Sequence, residues 1–328
     1  LPGLSNPLDP ILAKLYGDYA HDDTATIQQL VDVANVDGIK SITLPAGTFL
    51  LKHEINFYGT DITLSGQGDK TILDVDNHFG SGNNSLGRAM SIMASLDSTP
   101  MMISQAVTGN TIVFRGKMNV QAGETLFLSN GRGSTMIIEK NLAGPLAAAT
   151  YFNELGPDEF VRIAAVATDA NGNTVATLAQ NVVGTKDYFN VAPVDAASDK
   201  YLHARAVDKP ADHLTVENFD IEFKDMAADS ALSFTYSDYA TAKNIKILNV
   251  STAGSRGAIW AIGSSNGMFQ DITSPAPVEL NSCRFMTVEN NTVAGVFLEE
   301  ASTDNIISKN DLTGATGADL RTNDMACQ

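Results

Sequence analysis

The alternation of apolar and polar positions changes period once near the start of the chain and then keeps to short, strand-like runs. Ile27, Leu30, Val31 and Ala34 fall at i, i+3, i+4 and i+7, a single apolar stripe that predicts an amphipathic helix over about 23–36. Asp22 or Asp23 can cap it, because a short carboxylate accepts the free N–H groups of a first turn, and Gly38 is placed to stop it. Beyond this helix the period falls to two. IKSITL (39–44), TFLL (48–51), INF (55–57), DITLSG (61–66) and TILDV (71–75) are β-prone runs separated by turn residues, the spacing of a coil of strands.

The last third carries an internal repeat. TVENFDI, KILNVST, FQDITSP, TVENNTV and ISKNDLT align on Asn218, Asn249, Asp271, Asn290 and Asn310, at intervals of 31, 22, 19 and 20 residues. Such intervals predict solenoid rungs. The Asn/Asp column fits a bend in which these side chains tolerate left-handed backbone and bond to their neighbours in adjacent rungs, with Asn290 expected among buried partners. Residues from about 88 to 205 interrupt the repeat. They include a hairpin in which FVRIAAVAT (160–168) and TVATLAQNVV (174–183) flank a turn centred on Asn171-Gly172. The chain therefore divides into a lead-in (1–22), a capping helix with the first rungs (23–87), a β-rich insertion (88–205) and C-terminal rungs (206–328).

The stretch GDYAHDDTATIQQLVDVANVDGIKSITLPAGTFLL (17–51) resembles the entry segment of the pectate-lyase-like superfamily, a Gly…Asp-Asp-Thr…helix…Pro-Ala-Gly-Thr run. Ala122-Gly123-Glu124 and Glu159-Phe160-Val161 are similar to the insertion strands of tailspike-like proteins. The resemblance implies an all-β chain, a right-handed parallel β-helix with an N-terminal capping α-helix. It further implies a phage tailspike or secreted protein, extracellular or on the virion surface, that acts on a bacterial polysaccharide. Trimers are usual for tailspikes, so a homotrimer is the implied assembly, with sites on one protomer or between protomers. No Tyr-x-x-Asp-x-His run of the alginate-epimerase branch is present.

Composition narrows the partners. With 21 Lys and Arg against 38 Asp and Glu the net charge is −17, and no basic cluster exists to hold phosphates, which argues against nucleic acid. No apolar run approaches the ~18 residues of a membrane span, so no membrane insertion is expected. Cys283 and Cys327 form no metal-binding spacing and read as buried thiols. No phosphate loop, serine elbow or zinc motif occurs, and no cofactor is expected. The chain opens at Leu1 and closes at Gln328 directly after a repeat, which reads as a piece of a longer protein.

Candidate chemistry follows from strand alternation. In the second strand of each rung, Leu232/Phe234, Ala258/Trp260, Val278/Leu280, Val296/Leu298 and Ala318/Leu320 form the apolar column expected to face the core. The opposite face then carries Ser233, Ile259, Glu279, Phe297 and Asp319, beside Thr235, Ala261, Asn281, Glu299 and Arg321. Glycoside hydrolysis needs two carboxyl groups, one protonated and one ionised. Rungs about 4.8 Å apart with a two-residue offset would set Glu279 and Glu299, or Glu299 and Asp319, roughly 8 Å apart, within the inverting range. Glu279, Glu299 and Asp319 are thus the candidate catalytic acids, with Arg321, Phe297 and Asn281 as substrate-binding residues. The same strip also fits a plain solvated face. A lyase is the rival chemistry, drawing on Tyr201, His203, Arg205, Lys209, His213, Tyr236 and Tyr239. A glycan-binding adhesin and a structural solenoid segment of a larger fibre remain open beside both.

Overall fold

The computed structural model describes residues 6–76, 86–97, 99–107, 109–129, 158–182, 194–195, 200–223, 227–228, 230–250, 257–299, 302, 304–312 and 320–322. It is 55% strand and 8% helix, and it forms a right-handed parallel β-helix. The predicted helix runs Thr24–Asp37 and buries Ile27, Leu30, Val31 and Ala34, the stripe read from the sequence. Gly38 ends it in left-handed geometry at φ 68°, its N–H returning to the Ala34 carbonyl. Asp23 occupies the N-cap position without capping. Its fully buried carboxylate instead accepts the N–H groups of Tyr16 (2.8 Å) and Gly17 (3.0 Å), tying the lead-in to the helix. Asp22 takes the Thr24 N–H at 3.0 Å.

Two parallel sheets wrap the solenoid. The first contains nine strands, running in space from Asp18–Asp22 through Gly47–Leu51, Thr63–Val75, Thr215–Phe223, Thr241–Leu248, Met268–Thr273 and Thr287–Glu289 to Ile306–Ser308, with Ser41–Thr43 also on Thr63–Val75. The second contains seven: Ile55–Phe57, Met90–Met93, Ser230–Thr235, Gly257–Ile262, Val278–Asn281, Val296–Glu299 and Leu320–Thr322. Between them lies a continuous core of aliphatic and phenylalanine side chains, among them Leu64, Phe219, Phe234, Phe269 and Leu280. Thr63–Val75 pairs directly with Thr215–Phe223, so the first sheet runs on unbroken across the intervening sequence, most of which lies outside the solenoid.

That intervening sequence folds as a separate antiparallel sheet, in which Met101–Met102, His203–Lys209, Thr125–Ser129, Asp158–Thr168, Thr174–Leu178 and Thr111–Val113 lie side by side. It has its own core, including Ile112, Phe114, Leu126, Leu128, Val161 and Leu178. The hairpin turns where Asn171-Gly172 marks it. Gly172 sits at φ 81°, and Asp169 Oδ1 holds the N–H groups of Asn171 and Asn173. One boundary read from the sequence needs correction. Met90–Met93, placed in the insertion by a start at 88, is a rung of the second sheet, paired with Ser230–Thr235. The strand is a short apolar run without turn residues to mark its phase, and only long-range pairing assigns it.

The Asn column also shifts register. Thr215–Phe223 pairs with Thr241–Leu248 so that Asn218 stacks on Asn244 rather than Asn249, and Asn244 Nδ2 donates to Asn218 Oδ1 at 2.7 Å. Asn290 donates to Asp271. Asn218, Asn244, Asp271, Asn290 and Lys309 all have left-handed backbone, with φ from 53° to 61°. This ladder is solvent-exposed at Asn290. The buried ladder is the neighbouring one: Asn291, 1% exposed, accepts the Ile272 N–H and donates to the Phe269 carbonyl and to Asn310 Oδ1. Asn310 therefore belongs with Asn291.

Candidate active-site groove

Along the outer face of the second sheet, Ser233, Trp260, Glu279 and Phe297 stand in one register column, and Arg321 is the backbone register partner of Phe297. Thr235, Ile262, Asn281 and Glu299 form the next. Glu279 and Glu299 are thus one rung and two residues apart, the offset expected from the sequence. Two placements differ from expectation. Trp260, assigned to the core, is in the outer column between Ser233 and Glu279, while Ile259 and Ala261 point inward and are fully buried. The run GAIWAI is apolar on both faces, so alternation alone cannot set its phase, and a slip of one residue reverses every side chain. Arg321 aligns with Phe297 rather than Glu299. Asp319 lies outside the described residues. Glu279, Phe297 and Glu299 are half-buried and Asn281 is buried.

A concavity with titratable side chains on both walls lies elsewhere, where the insertion leans on one corner of the solenoid. It is a groove of about 680 Å³, walled on one side by Glu124, Phe160 and Arg162 and on the other by Asp212, His213, Asp238 and Tyr239. A smaller hollow of about 250 Å³ shares Phe160, Gln180, Asp238 and Tyr239 with it and extends it toward Asn266, Arg284 and Phe285. The solenoid wall is itself a ladder. Asp212 pairs with Asp238, Asp238 with Ser265 and Ser265 with Arg284, each by a parallel bridge. Successive rungs therefore line the groove at about 4.8 Å intervals.

Asp212 and Asp238 thus face the groove from adjacent rungs in different electrostatic settings. Burial pushes the Asp238 carboxyl up to about 6, and the Asp212 charge adds to the rise. Hydrogen bonds from Asn266 Nδ2 (2.8 Å) and Ser265 Oγ (3.0 Å) act in the opposite sense, as does His213. Asp212 is more exposed and is bonded to His213 Nδ1 at 2.6 Å. Beside them the rings of His213 and Tyr239 stack, centroids 4.5 Å apart and 14° from parallel. Tyr239 is 47% exposed. At the far end Arg284, 3% exposed, meets Glu159 at 3.7 Å and Asp304 at 3.4 Å and lies over the Phe285 ring. A carboxyl whose proton is held up to about pH 6 beside a second, more exposed carboxyl is a pairing that general acid–base chemistry can use.

The residues read as the rival cluster separate. His213 and Tyr239 are in the groove. His203 and Arg205 are buried within the insertion, Tyr236 packs edge-on against Phe127, and Lys209 sits over the Tyr58 ring. The side chain of Tyr201 lies outside the described residues. Sequence reasoning named the two rings but missed the two acids. The signal was present: Asp212-His213 and Asp238-Tyr239 recur 26 residues apart, the interval that separates Asn218 from Asn244. Cys283 is buried, as expected, and Cys327 lies outside the described residues. Among the described residues no helix is long and apolar enough to cross a membrane, and no group of His, Cys, Asp and Glu could hold a metal ion.

No family model and no curated protein sequence matches the chain. Solved structures do. The tailspike of Pseudomonas phage LKA1 is 15% identical at a TM-score of 0.46, over 92% of this chain and 58% of its own. The tailspike of Pseudomonas phage phi297 is 13% identical at 0.45, over 92% and 58%. The tailspike of Acinetobacter baumannii bacteriophage AP22, solved in complex with A. baumannii capsular saccharide, is 12% identical at 0.43, over 92% and 53%. The chain spans little more than half the length of these tailspikes.

Proposed function

We propose that this protein binds and cleaves a bacterial surface polysaccharide by hydrolysis, in the groove between the insertion and the solenoid corner. The observation that carries the reading is the pairing of Asp238, its carboxyl pushed up to about 6 by burial, with the more exposed Asp212 one rung away, beside stacked rings in a groove. In this mechanism Asp238 gives its proton to the glycosidic oxygen as the bond to the anomeric carbon breaks. Asp212, oriented by its hydrogen bond with His213, stabilises the positive charge developing on the sugar and serves as base or nucleophile. Tyr239 offers a flat face against which a sugar ring packs. The protein acts outside the cell or on a virion, where such glycans are met, and a homotrimer would set further grooves around one axis.

A second reading keeps the chemistry on the outer face of the second sheet, with Glu279, Glu299 and Asp319 as acids and Arg321, Phe297 and Asn281 binding substrate. It is favoured by the register that puts Glu279 between Trp260 and Phe297, an acid flanked by two aromatic side chains on neighbouring rungs. Purified protein incubated with a panel of capsular and exopolysaccharides tests both. Reducing ends released without absorbance at 235 nm indicate hydrolysis, and absorbance indicates elimination. Binding without release would make the protein an adhesin and overturn the catalytic reading.

A further inference from the structure

The charges lining the groove restrict what it can accept. Among the described residues four carboxylates line its larger part, Glu124, Asp208, Asp212 and Asp238, against one guanidinium, Arg162, and the imidazole of His213. With Asp238 left out of the count and His213 set against its partner Asp212, Glu124 and Asp208 still outnumber Arg162. Arg284 at the far end adds no free charge, since it is 3% exposed and already meets Glu159 and Asp304. The chain as a whole carries −17, so a polyanion approaches against the field of the entire molecule. Elimination on a uronate needs a cation to neutralise the sugar carboxylate and a base for the C5 proton. Here the guanidinium lining the groove is that of Arg162, on the insertion wall, with Glu124 next to its register partner Thr125 on the same wall.

We infer that the groove takes a neutral or amine-bearing glycan and turns away chains whose sugars next to the scissile bond carry carboxylates. The inference rests on the glycan-cleavage reading above and deepens it. Neutral hydroxyl and acetamido groups bond equally well to carboxylates, amides and the Tyr239 hydroxyl, and a free sugar amine gains from the acidic lining. A uronate at the same place leaves its charge facing Glu124 and Asp208. With the two charges about 8 Å apart across a wet groove, each such carboxylate costs about two- to five-fold in occupancy.

The test is cleavage of capsular polysaccharides of known composition, sorted into neutral, amine-bearing and uronate-bearing sets, read by reducing ends and size exclusion. Cleavage confined to the first two sets upholds the inference. Cleavage beside a uronate, with or without 235 nm absorbance, overturns it while leaving the glycan-cleavage reading intact. Failure to cleave any member of a broad panel, joined to an absence of binding, overturns that reading and the inference with it. A binding measurement with hyaluronan and dextran as probes checks the cause. The double variant E124Q/D208N is expected to raise hyaluronan binding relative to dextran by about four-fold or more, and an unchanged ratio would show that the lining charges do not select.

Discussion

Two corners of the solenoid share one backbone conformation and fill it with different residues. At the corner within the first sheet, the left-handed positions are Asn218, Asn244, Asp271, Asn290 and Lys309. At the corner facing the insertion they are His213, Tyr239, Asn266, Phe285 and Asp304, with φ between 51° and 57°. Asn and Asp are the non-glycine residues that enter this region most easily, and a ring residue there is uncommon. The first corner is thus occupied, at every one of these positions but Lys309, by residues suited to the bend. The second holds three rings where Asn would fold more readily, and those rings line the groove and the hollow between the insertion and this corner. Backbone strain accepted at three positions of one corner and mostly avoided at its counterpart supports the proposal that the groove side serves more than folding.

The largest effects should separate the groove from the outer strip. Asp238→Asn and Asp212→Asn should each lower turnover by about 10²–10⁴-fold, since each removes one partner of the acid–base pair, while binding of the same glycan persists. Glu279→Gln and Glu299→Gln should leave turnover close to the parent. The reverse pattern would move the chemistry to the second sheet. The pH profile sharpens the assignment. Asp238 has an ordinary carboxyl value of 3.8 when unfolded and about 6 in the fold. As the proton donor it should give a falling limb near pH 6 that is lost in Asp238→Asn. The same shift is linked to stability. A raised carboxyl favours the folded state fully below about pH 4, and this contribution disappears as pH rises through about 6. Denaturation midpoints measured from pH 4 to 7 should fall over that window in the parent and less in Asp238→Asn.

The corner comparison also explains what could be read from the sequence. The helix was legible because its stripe of Ile27, Leu30, Val31 and Ala34 is unambiguous, and the hairpin because Asn171-Gly172 admits few alternatives. Strands such as Val278–Asn281 were assigned to the correct face because Glu279 and Asn281 alternate with Val278 and Leu280. Gly257–Ile262 was reversed because both its faces are apolar. The Asn ladder was recognised as a type but slipped at Asn249 and Asn310, since several Asn residues lie within a few positions and only pairing chooses among them. The groove was hidden for a different reason. One wall belongs to residues 123–180 and the other to residues 207–239, and nothing local in either segment announces that they meet.

Next in size is the buried ladder. Asn291→Ala should destabilise by about 1–3 kcal/mol, because the Ile272 N–H and the Phe269 carbonyl would lose their partner inside the solenoid. Chemical denaturation of the purified variant measures it, and cleavage per folded molecule should be unchanged. A midpoint equal to the parent's would mean that water replaces the lost bonds and that the rungs are less tightly closed than the pairing indicates.

Tyr239→Asn tests the comparison at its centre. Replacing a ring by Asn at φ 51° relieves a left-handed position, which is worth up to about 1 kcal/mol, while the lost stacking on His213 offsets part of that gain. The variant should be as stable as the parent or slightly more so, yet cleave several-fold less efficiently through a raised KM. Lower stability together with unchanged kinetics would make the rings a packing feature, and the two corners would then differ for structural reasons alone.

The smallest effect is expected at the counterpart position. Asn290 is at φ 58°, exposed, and donates to Asp271 on the rung below. Asn290→Ala removes that bond, but water can replace it at an exposed site, so the hydrogen-bond loss should be well under 1 kcal/mol. The Cβ-bearing alanine must still hold left-handed backbone, and alanine lacks the side-chain oxygen that makes the region accessible to Asn, which adds a few tenths to about 1 kcal/mol. Asn290→Gly separates the two contributions, because glycine loses the bond but occupies the bend freely. If Asn290→Gly matches the parent and Asn290→Ala falls slightly below it, this corner is kept for its backbone. Glycan cleavage identical in all three proteins would complete the contrast with Tyr239, and a kinetic defect at Asn290 would erase it.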